Sequence, residues 1–193
     1  MTRYNILRCL LLLSLSLPAQ IKQEQEIRID REMFPDRSLE LLEGHLQGVR
    51  KLRFYQEIEN GEMSYEAKFK KGRLHYSVEF QKNGELEDVE FIIKKRDIPN
   101  DSWEAIQGHL DLHYPRNRII KIQQHHPLVE GDPQKTLHQA FQNLILPSIR
   151  YEVVFSAKTD GGFQIHEIMF DAHGELILMR RSLPPNYNHV LYQ

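Results

Sequence analysis

The sequence predicts an α+β protein built from two tandem repeats, each with one helix packed on a four-stranded antiparallel meander sheet. Three echoes support the duplication. Residues 44–46 (GHL) return as 108–110, residues 65–69 (YEAKF) as 151–155 (YEVVF), and residues 80–86 (FQKNGEL) as 170–176 (FDAHGEL). Ordered self-similarity of this kind is typical of a duplicated structural unit. An extra helix is inserted in the second repeat.

The chain is divided into five predicted segments. They are a signal peptide at 1–19, an N-terminal leader at 20–35, a first repeat at 36–97, a second repeat at 98–184 and a C-terminal tail at 185–193. The tail holds Tyr187, Leu191 and Tyr192, so it is too apolar to stay free in water.

The first repeat shows one helix signal followed by four strand signals. Asp36 or Ser38 can cap a helix whose leucines, including Leu42, recur on one face. Apolar and polar residues then alternate through four segments, and Asn60-Gly61 is a strong hairpin signal. Strict alternation predicts a sheet with one buried and one wet face, and the short loops predict antiparallel pairing.

The second repeat follows the same plan. A helix opens near Asn100 and stops at Pro115, and four strand signals follow. Between the first and second of these strands, Asp132-Pro133 reads as a helix N-cap followed by proline. The inserted helix is therefore expected at about 132–146.

The N-terminus predicts export. Arg3 and Arg8 make the N-terminal region positive, and residues 9–17 (CLLLLSLSL) are apolar. Because a membrane-spanning helix needs about 20 apolar residues, this run fits a secretory signal peptide cut near Ala19. An N-terminal membrane anchor is the alternative. After cleavage we expect an exported protein, periplasmic or secreted, with no stable membrane span.

Composition excludes several functions. The single cysteine, Cys9, leaves with the signal peptide, which excludes thiol chemistry and cysteine metal sites in the mature chain. The formal net charge is −2, without a basic stripe, so nucleic acid is not an expected partner. No motif indicates a cofactor. The sequence leaves the oligomeric state open.

Several of these residues resemble the PepSY-like repeat, a family also described as β-lactamase-inhibitor-like. The similarity lies in the Tyr-Glu-x-x-Phe segments at 65 and 151, the Phe-x-x-x-Gly-Glu-Leu turns at 80 and 170, and the helix running into Tyr114-Pro115. Members are exported proteins, mostly of Bacteroidetes, with tandem helix-plus-four-strand units. The resemblance implies no catalytic residues. The inhibitor that lends the family its name binds its enzyme through an exposed sheet surface, which implies binding by a sheet face here.

Four histidines are weak metal candidates. His109 and His113 stand four apart on a predicted helix, which is a metal-ligand spacing, but no further ligand completes the set. His125 and His126 end a strand and could bind a metal with His173 or His189. We expect packing and exposed polar roles instead, and no metal site. The acidic run Glu85, Glu87, Asp88 and Glu90 lacks the spacing of a calcium loop and is expected to be a solvated strand face.

The outer face of the second sheet is the expected binding surface. Four outward positions form it: Val154, Ile165, Glu167 and Met169. An apolar outer face must be covered or used, either by the inserted helix and the tail or by a partner. No nucleophile elbow is present, so we expect no enzyme. The favoured hypothesis is a non-catalytic, inhibitor-like module that binds an exported or envelope protein. The alternatives are a periplasmic small-ligand or metal sensor using the histidines, and a hydrolase.

Overall fold

A single continuous β-sheet runs through the described part of the chain, residues 20–22 and 24–182, in the computed structural model. The strands are β1 (Gln20–Lys22), β2 (Glu24–Ile29), β3 (Val49–Glu59), β4 (Glu62–Lys71), β5 (Leu74–Gln81), β6 (Leu86–Ile93), β7 (Asn117–Pro127), β8 (Arg150–Thr159), β9 (Gly162–Asp171) and β10 (Leu176–Ser182). Their order across the sheet is β1-β10-β9-β8-β7-β6-β5-β4-β3-β2. Strands β2 to β10 form an antiparallel series, and β1 pairs parallel to β10.

The prediction of two repeats with separate four-stranded meander sheets is therefore wrong. The decisive contact is the antiparallel pairing of β6 with β7, in which Ile93 stands opposite Ile122. The exposed edge of a strand offers unpaired N–H and C=O groups, so two meanders placed edge to edge join into one sheet. Residues 20–35, predicted as a leader, contribute β1 and β2.

Three helices are described: α1 (Asp36–Glu43), α2 (Asn100–His113) and α3 (Pro133–Phe141). The inserted helix, expected at 132–146, is shorter: the Asp132 side chain accepts a hydrogen bond from the Lys135 N–H at its start, and the helix ends at Phe141. Asn60 and Gly61 both have positive φ, 51° and 89°, as the hairpin dipeptide predicts. The signal peptide and the C-terminal tail lie outside the described residues.

All three helices lie against the same face of the sheet. On that face Phe69, Tyr76, Phe91, Gln124, Tyr151 and Phe170 follow one another across the register. The ring of Phe141, from α3, is 5.3 Å from the ring of Tyr76, and His109, from α2, is 5.5 Å from Phe170. Phe34, just before α1, is 5.7 Å from Phe80. The core therefore fills the space between this face and the helices.

The other face curls into a concave surface. Arg180 on β10 and Glu59 on β3 both point away from the helices, and their side chains form an ion pair with Nη1–Oε1 at 3.1 Å. In a flat sheet these two strands would lie about 34 Å apart, since adjacent strands are spaced at about 4.8 Å. The sheet must therefore bend strongly toward its helix-free side, which we call the concave face.

Candidate functional site

Two register rows of polar side chains cross the centre of the concave face. In one row Glu66, Glu79 and Asp88 stand side by side on β4, β5 and β6. In the neighbouring row Ser77, Glu90 and His125 follow on β5, β6 and β7. Side chains directly opposite each other have Cβ atoms about 5 Å apart, so the rows bring several carboxylates into contact.

His125 is held by two of these carboxylates. Its Nδ1 lies 2.8 Å from Glu90 Oε1 and 3.8 Å from Asp88 Oδ2. Gln123 Nε2 donates to the second oxygen of Glu90. Burial alone would lower the pKa of His125, but the charges of Glu90 and Asp88 outweigh burial and raise the pKa well above its ordinary value. These contacts favour the protonated form of the buried imidazole.

Glu79 completes this end of the site with a further carboxyl group. Its burial raises its pKa well above the ordinary value, and the charges of Asp88 and Glu90 raise it further. A carboxyl group that sits beside like charges in a buried position retains its proton or requires a nearby cation.

At the other end of the rows, Lys68 lies between two different carboxylates. Its Nζ lies 2.6 Å from Glu26 Oε2 and 2.7 Å from Glu66 Oε2. Ser77 Oγ donates to the other oxygen of Glu66. Burial raises the pKa of Glu66, and Lys68 opposes that effect. The arrangement is a buried carboxylate–ammonium–carboxylate bridge.

A group of more accessible carboxylates borders the site. Glu59, Glu62 and Glu87 form this acidic rim, and Glu62 and Glu87 are exposed. Partial burial raises the pKa of Glu87, and the charges of Asp88, Glu59 and Glu62 add to the effect. The curl of the sheet explains this proximity, because Glu87 lies on β6 and Glu59 lies at the end of β3.

The four residues of the predicted binding surface lie on the concave face. In the register Val154 stands opposite Glu167, Ile165 opposite Ser156, and Met169 opposite Glu152. Val154 is buried, and the other three are half-buried. Glu167 also stands opposite Arg180, whose ion pair with Glu59 brings this surface beside the acidic rim. Their role in binding stays a prediction.

The four predicted histidines separate into two environments. The rings of His109 and His113 lie 4.5 Å apart on α2, and His126 stacks on Phe91 at 5.6 Å on the helix side of the sheet. Burial, followed by the charge of His125, lowers the pKa of His126 to about 4. Of the four, it is His125 that lies with carboxylates on the concave face.

Sequence reasoning missed the partners of His125. Asp88 and Glu90 were expected on a solvated face, whereas Glu90 is buried at 9% exposure. The sequence shows that Asp88 and Glu90 alternate onto one face of β6. It does not show that β7, which carries His125, pairs with β6, because the two strands were assigned to different sheets. Glu79 alternates onto the wet face of its strand, but nothing in the sequence singles it out as part of a site.

His166 gives a testable consequence for stability. It is buried between Phe155 and Tyr114, and neither ring nitrogen has a hydrogen-bond partner among the described residues. Burial, then the charge of Arg181, lowers its pKa below 6.5. The unfolded chain therefore binds more protons below pH 6.5, and stability falls as the pH falls through that range. His166→Leu should raise the free energy of unfolding by about 1 kcal/mol at neutral pH, and by more at pH 5.

Urea unfolding at pH 7.5 and pH 5 checks this prediction. The exposed His173 offers a control, because His173→Leu should leave both values nearly unchanged. A stabilisation by His166→Leu that is equal at the two pH values, or a loss at pH 5, would show that His166 is not held neutral by the fold.

Solved structures of several Bacteroides proteins have this architecture. A BLIP-like protein from Bacteroides fragilis matches with a TM-score of 0.53 and 12% identity, over 81% of this chain and 92% of that one. A DUF2874 family protein from Bacteroides ovatus matches with a TM-score of 0.52 and 9% identity, over 77% and 87%. The chain shares their fold. At this level of identity the likeness concerns the fold alone.

A third solved structure has a similar fold. This Bacteroides eggerthii protein, provisionally described as periplasmic, matches with a TM-score of 0.50 and 11% identity, over 77% of this chain and 88% of that one. Among the described residues, no helix has the length and apolar character needed to cross a membrane.

The sequence comparisons give no family. No family model matches the chain, and no curated protein matches it. The PepSY-like repeat therefore stays a resemblance carried by the residues quoted above.

Proposed function

We propose that this protein is an exported, non-catalytic binding module whose concave face docks a loop of another exported or envelope protein. The observation that carries the proposal is that one face of the sheet is covered by helices and the other is not. The helices cover one face, while the other curls around a surface that carries many charged side chains, including the exposed Glu62 and Glu87. The BLIP-like name of the Bacteroides fragilis neighbour supports an inhibitor-like mode of binding.

The chemistry of the concave face favours a partner loop that is basic and partly apolar. The acidic rim offers three carboxyl groups, and among the residues that the structure describes its ion pair is that of Glu59 with Arg180. Ile165 and Met169 lie close by on β9 and offer apolar contact. Complementary charge chiefly sets the association rate and the choice of partner, whereas apolar contact at the centre supplies affinity.

The side-chain arrangement favours binding over nucleophilic catalysis. A serine nucleophile requires a base within hydrogen-bond reach. Ser77 shares a row with His125, but Glu90 stands between them, and the Ser77 hydroxyl donates to Glu66 instead. The histidine therefore contacts carboxylates and not a hydroxyl group.

Site-specific photocrosslinking tests the proposal. A photoreactive residue at position 87 should crosslink one envelope protein, whereas the same residue at Leu112, exposed on α2, should not. With the partner purified, Glu62→Lys/Glu87→Lys should weaken binding at least tenfold, more strongly at low salt than at high salt. Ile165→Lys/Met169→Lys should weaken it at both salt concentrations.

The controls are substitutions on the helix side. Glu40→Lys lies on α1 and should leave affinity unchanged. Crosslinking of the same protein with equal yield from positions 87 and 112 would contradict docking by the concave face. Unchanged affinity after both double substitutions would contradict it as well.

A further inference from the structure

Three potential metal ligands converge at the centre of the concave face. Asp88 and Glu90 are two residues apart on β6, so their side chains leave the same face of the sheet. His125 stands directly opposite Glu90 on β7. One ligand atom from each residue lies within 4.8 Å of the other two. Because both strands are central in the sheet, these groups are held by regular backbone hydrogen bonds on both sides.

Two polar atoms of this cluster are buried and unused. His125 is 5% exposed, and neither its Nε2 nor Asp88 Oδ1 has a hydrogen-bond partner among the described residues. Buried polar atoms are nearly always paired, and leaving one unpaired costs about 1–3 kcal/mol. His125 Nδ1 faces Glu90 and Asp88, so it is the imidazole atom that an ion between the three residues would contact, and Asp88 Oδ1 offers an oxygen without a hydrogen-bond partner among the described residues.

A second cluster of carboxyl groups on the concave face already contains a lysine. Glu26, Glu57 and Glu66 form a similar group on the same face, and there Lys68 bridges two of the carboxylates. At Asp88 and Glu90, the ion pairs within the described residues involve His125 and no lysine or arginine. Glu79 stands opposite Asp88 in the register, so a third carboxyl group lies beside the two that pair with the imidazole. This end of the face lacks the strong cation that balances the other end.

We propose that Asp88, Glu90 and His125 bind one Zn²⁺ ion. Zinc accepts a mixed set of imidazole and carboxylate ligands, and in sites with three protein ligands a fourth position stays open. Water or Glu79 would fill that position. The inference goes beyond docking by the concave face and does not depend on it. A bound ion would also fix the spacing of β6 and β7 at the centre of the curl.

Calorimetric titration with ZnCl₂ tests the site, using protein purified without a polyhistidine tag and freed of metal by a chelator. One Zn²⁺ should bind per chain, and more tightly at pH 7.5 than at pH 6, because metal ligands must lose their protons. His125→Gln should weaken binding at least tenfold. His126→Gln is the matched control: it changes the adjacent histidine, which faces the helices, and should alter affinity less than twofold.

A second variant and a second measurement keep the test decisive. Asp88 is half-buried, so Asp88→Asn should fold even if His125→Gln does not, and it should also weaken Zn²⁺ binding at least tenfold. Co²⁺ bound in place of Zn²⁺ should give the intense visible absorption of a four-coordinate site, and Asp88→Asn should remove it. No binding up to millimolar ZnCl₂ would overturn the proposal. Undiminished binding in Asp88→Asn, or loss in His126→Gln with retention in His125→Gln, would overturn it too.

Discussion

Gly174→Ala should lower the free energy of unfolding by about 3 kcal/mol or more, since it adds backbone strain to a steric clash. Gly174 occupies the turn between β9 and β10 with φ of +87°. A Cβ there would lie 2.4 Å from the carbonyl oxygen of Ser102 and 2.9 Å from Ala105 Cβ. Both atoms belong to the first turns of α2, so neither can move aside like the end of a flexible side chain.

Gly72 and Gly84 separate the two causes. Gly72 has φ of +57°, and nothing lies within 4 Å of the position that an alanine Cβ would take, so Gly72→Ala should cost only the strain, about 1 kcal/mol. At Gly84 the Cβ would lie 3.1 Å from Pro35 Cβ and 3.2 Å from Ser38 Oγ, which predicts an intermediate loss. Urea unfolding of the three alanine variants measures the series. Equal losses at all three sites would show that contact with α2 does not determine the cost.

Gly84 and Gly174 lie at equivalent contacts between a helix and the sheet. Ser38 Oγ, on α1, donates to the Gly84 carbonyl at 3.1 Å, and Ser102 Oγ, on α2, donates to the Ala172 carbonyl at 2.7 Å. Both serines are buried. In each half, one helix is therefore fixed to the turn between the last two strands of that half. Both turns lie in segments that are repeated in the sequence, so the sequence repeat corresponds to a repeated contact between a helix and a turn.

Local features of the fold could be predicted from the sequence. Alternation located the strands from β3 to β10, and Asn60-Gly61 located a hairpin whose backbone has the expected positive φ angles. Helix starts were visible at Asp36, Asn100 and Asp132-Pro133. These features depend on neighbours in sequence, because capping, turn geometry and side-chain alternation are short-range effects.

The continuity and the curl of the sheet could not be predicted. Pairing of β6 with β7 depends on which edges meet in space, and alternation is the same for a central strand and an edge strand exposed on one side. The curl accumulates from the twist between many strands. Val154 does lie on the helix-free face, where alternation placed it, but its burial there could not be predicted from alternation.

The neighbours of the candidate site residues could not be predicted either. His125 could be singled out as a possible ligand, but its partners follow from the β6–β7 register, in which Glu90 is its direct neighbour. The surface at Ile165 and Met169 was assigned to the face opposite the helices, and it does lie there. Its closeness to the acidic rim depends on the Arg180–Glu59 ion pair, which joins residues from opposite parts of the chain.

The second large effect concerns Lys68, the internal cation of the concave face. Lys68→Met keeps the length of the side chain and removes its charge, so Glu26 and Glu66 lose the ammonium group that bridges them. Removing one partner of a buried ion pair costs about 3–5 kcal/mol, because the remaining charge is left uncompensated. Lys68 is 18% exposed in its side chain, so we expect about 3 kcal/mol at pH 7.5.

The loss should be smaller at pH 5. Burial already raises the pKa of Glu66, and without Lys68 the pKa rises further. When a carboxyl group has a higher pKa in the folded than in the unfolded state, the protein loses stability as the pH rises through the folded-state pKa. Below that value Glu66 is protonated, and the missing ammonium group matters less. Urea unfolding of the wild type and the variant at both pH values measures the difference.

Lys135→Met is the matched control. Lys135 forms an ion pair of similar length with Glu130, 2.8 Å, but both side chains are exposed, at 43% and 74%. Exposed pairs contribute little, so this substitution should cost less than about 1 kcal/mol at either pH. Adding Glu66→Gln to Lys68→Met should recover part of the stability, because it removes a charge that has lost its partner. If the double variant is no more stable than Lys68→Met alone, the loss arises from packing around Tyr55, 5.0 Å from Lys68 Nζ, and not from the buried charges.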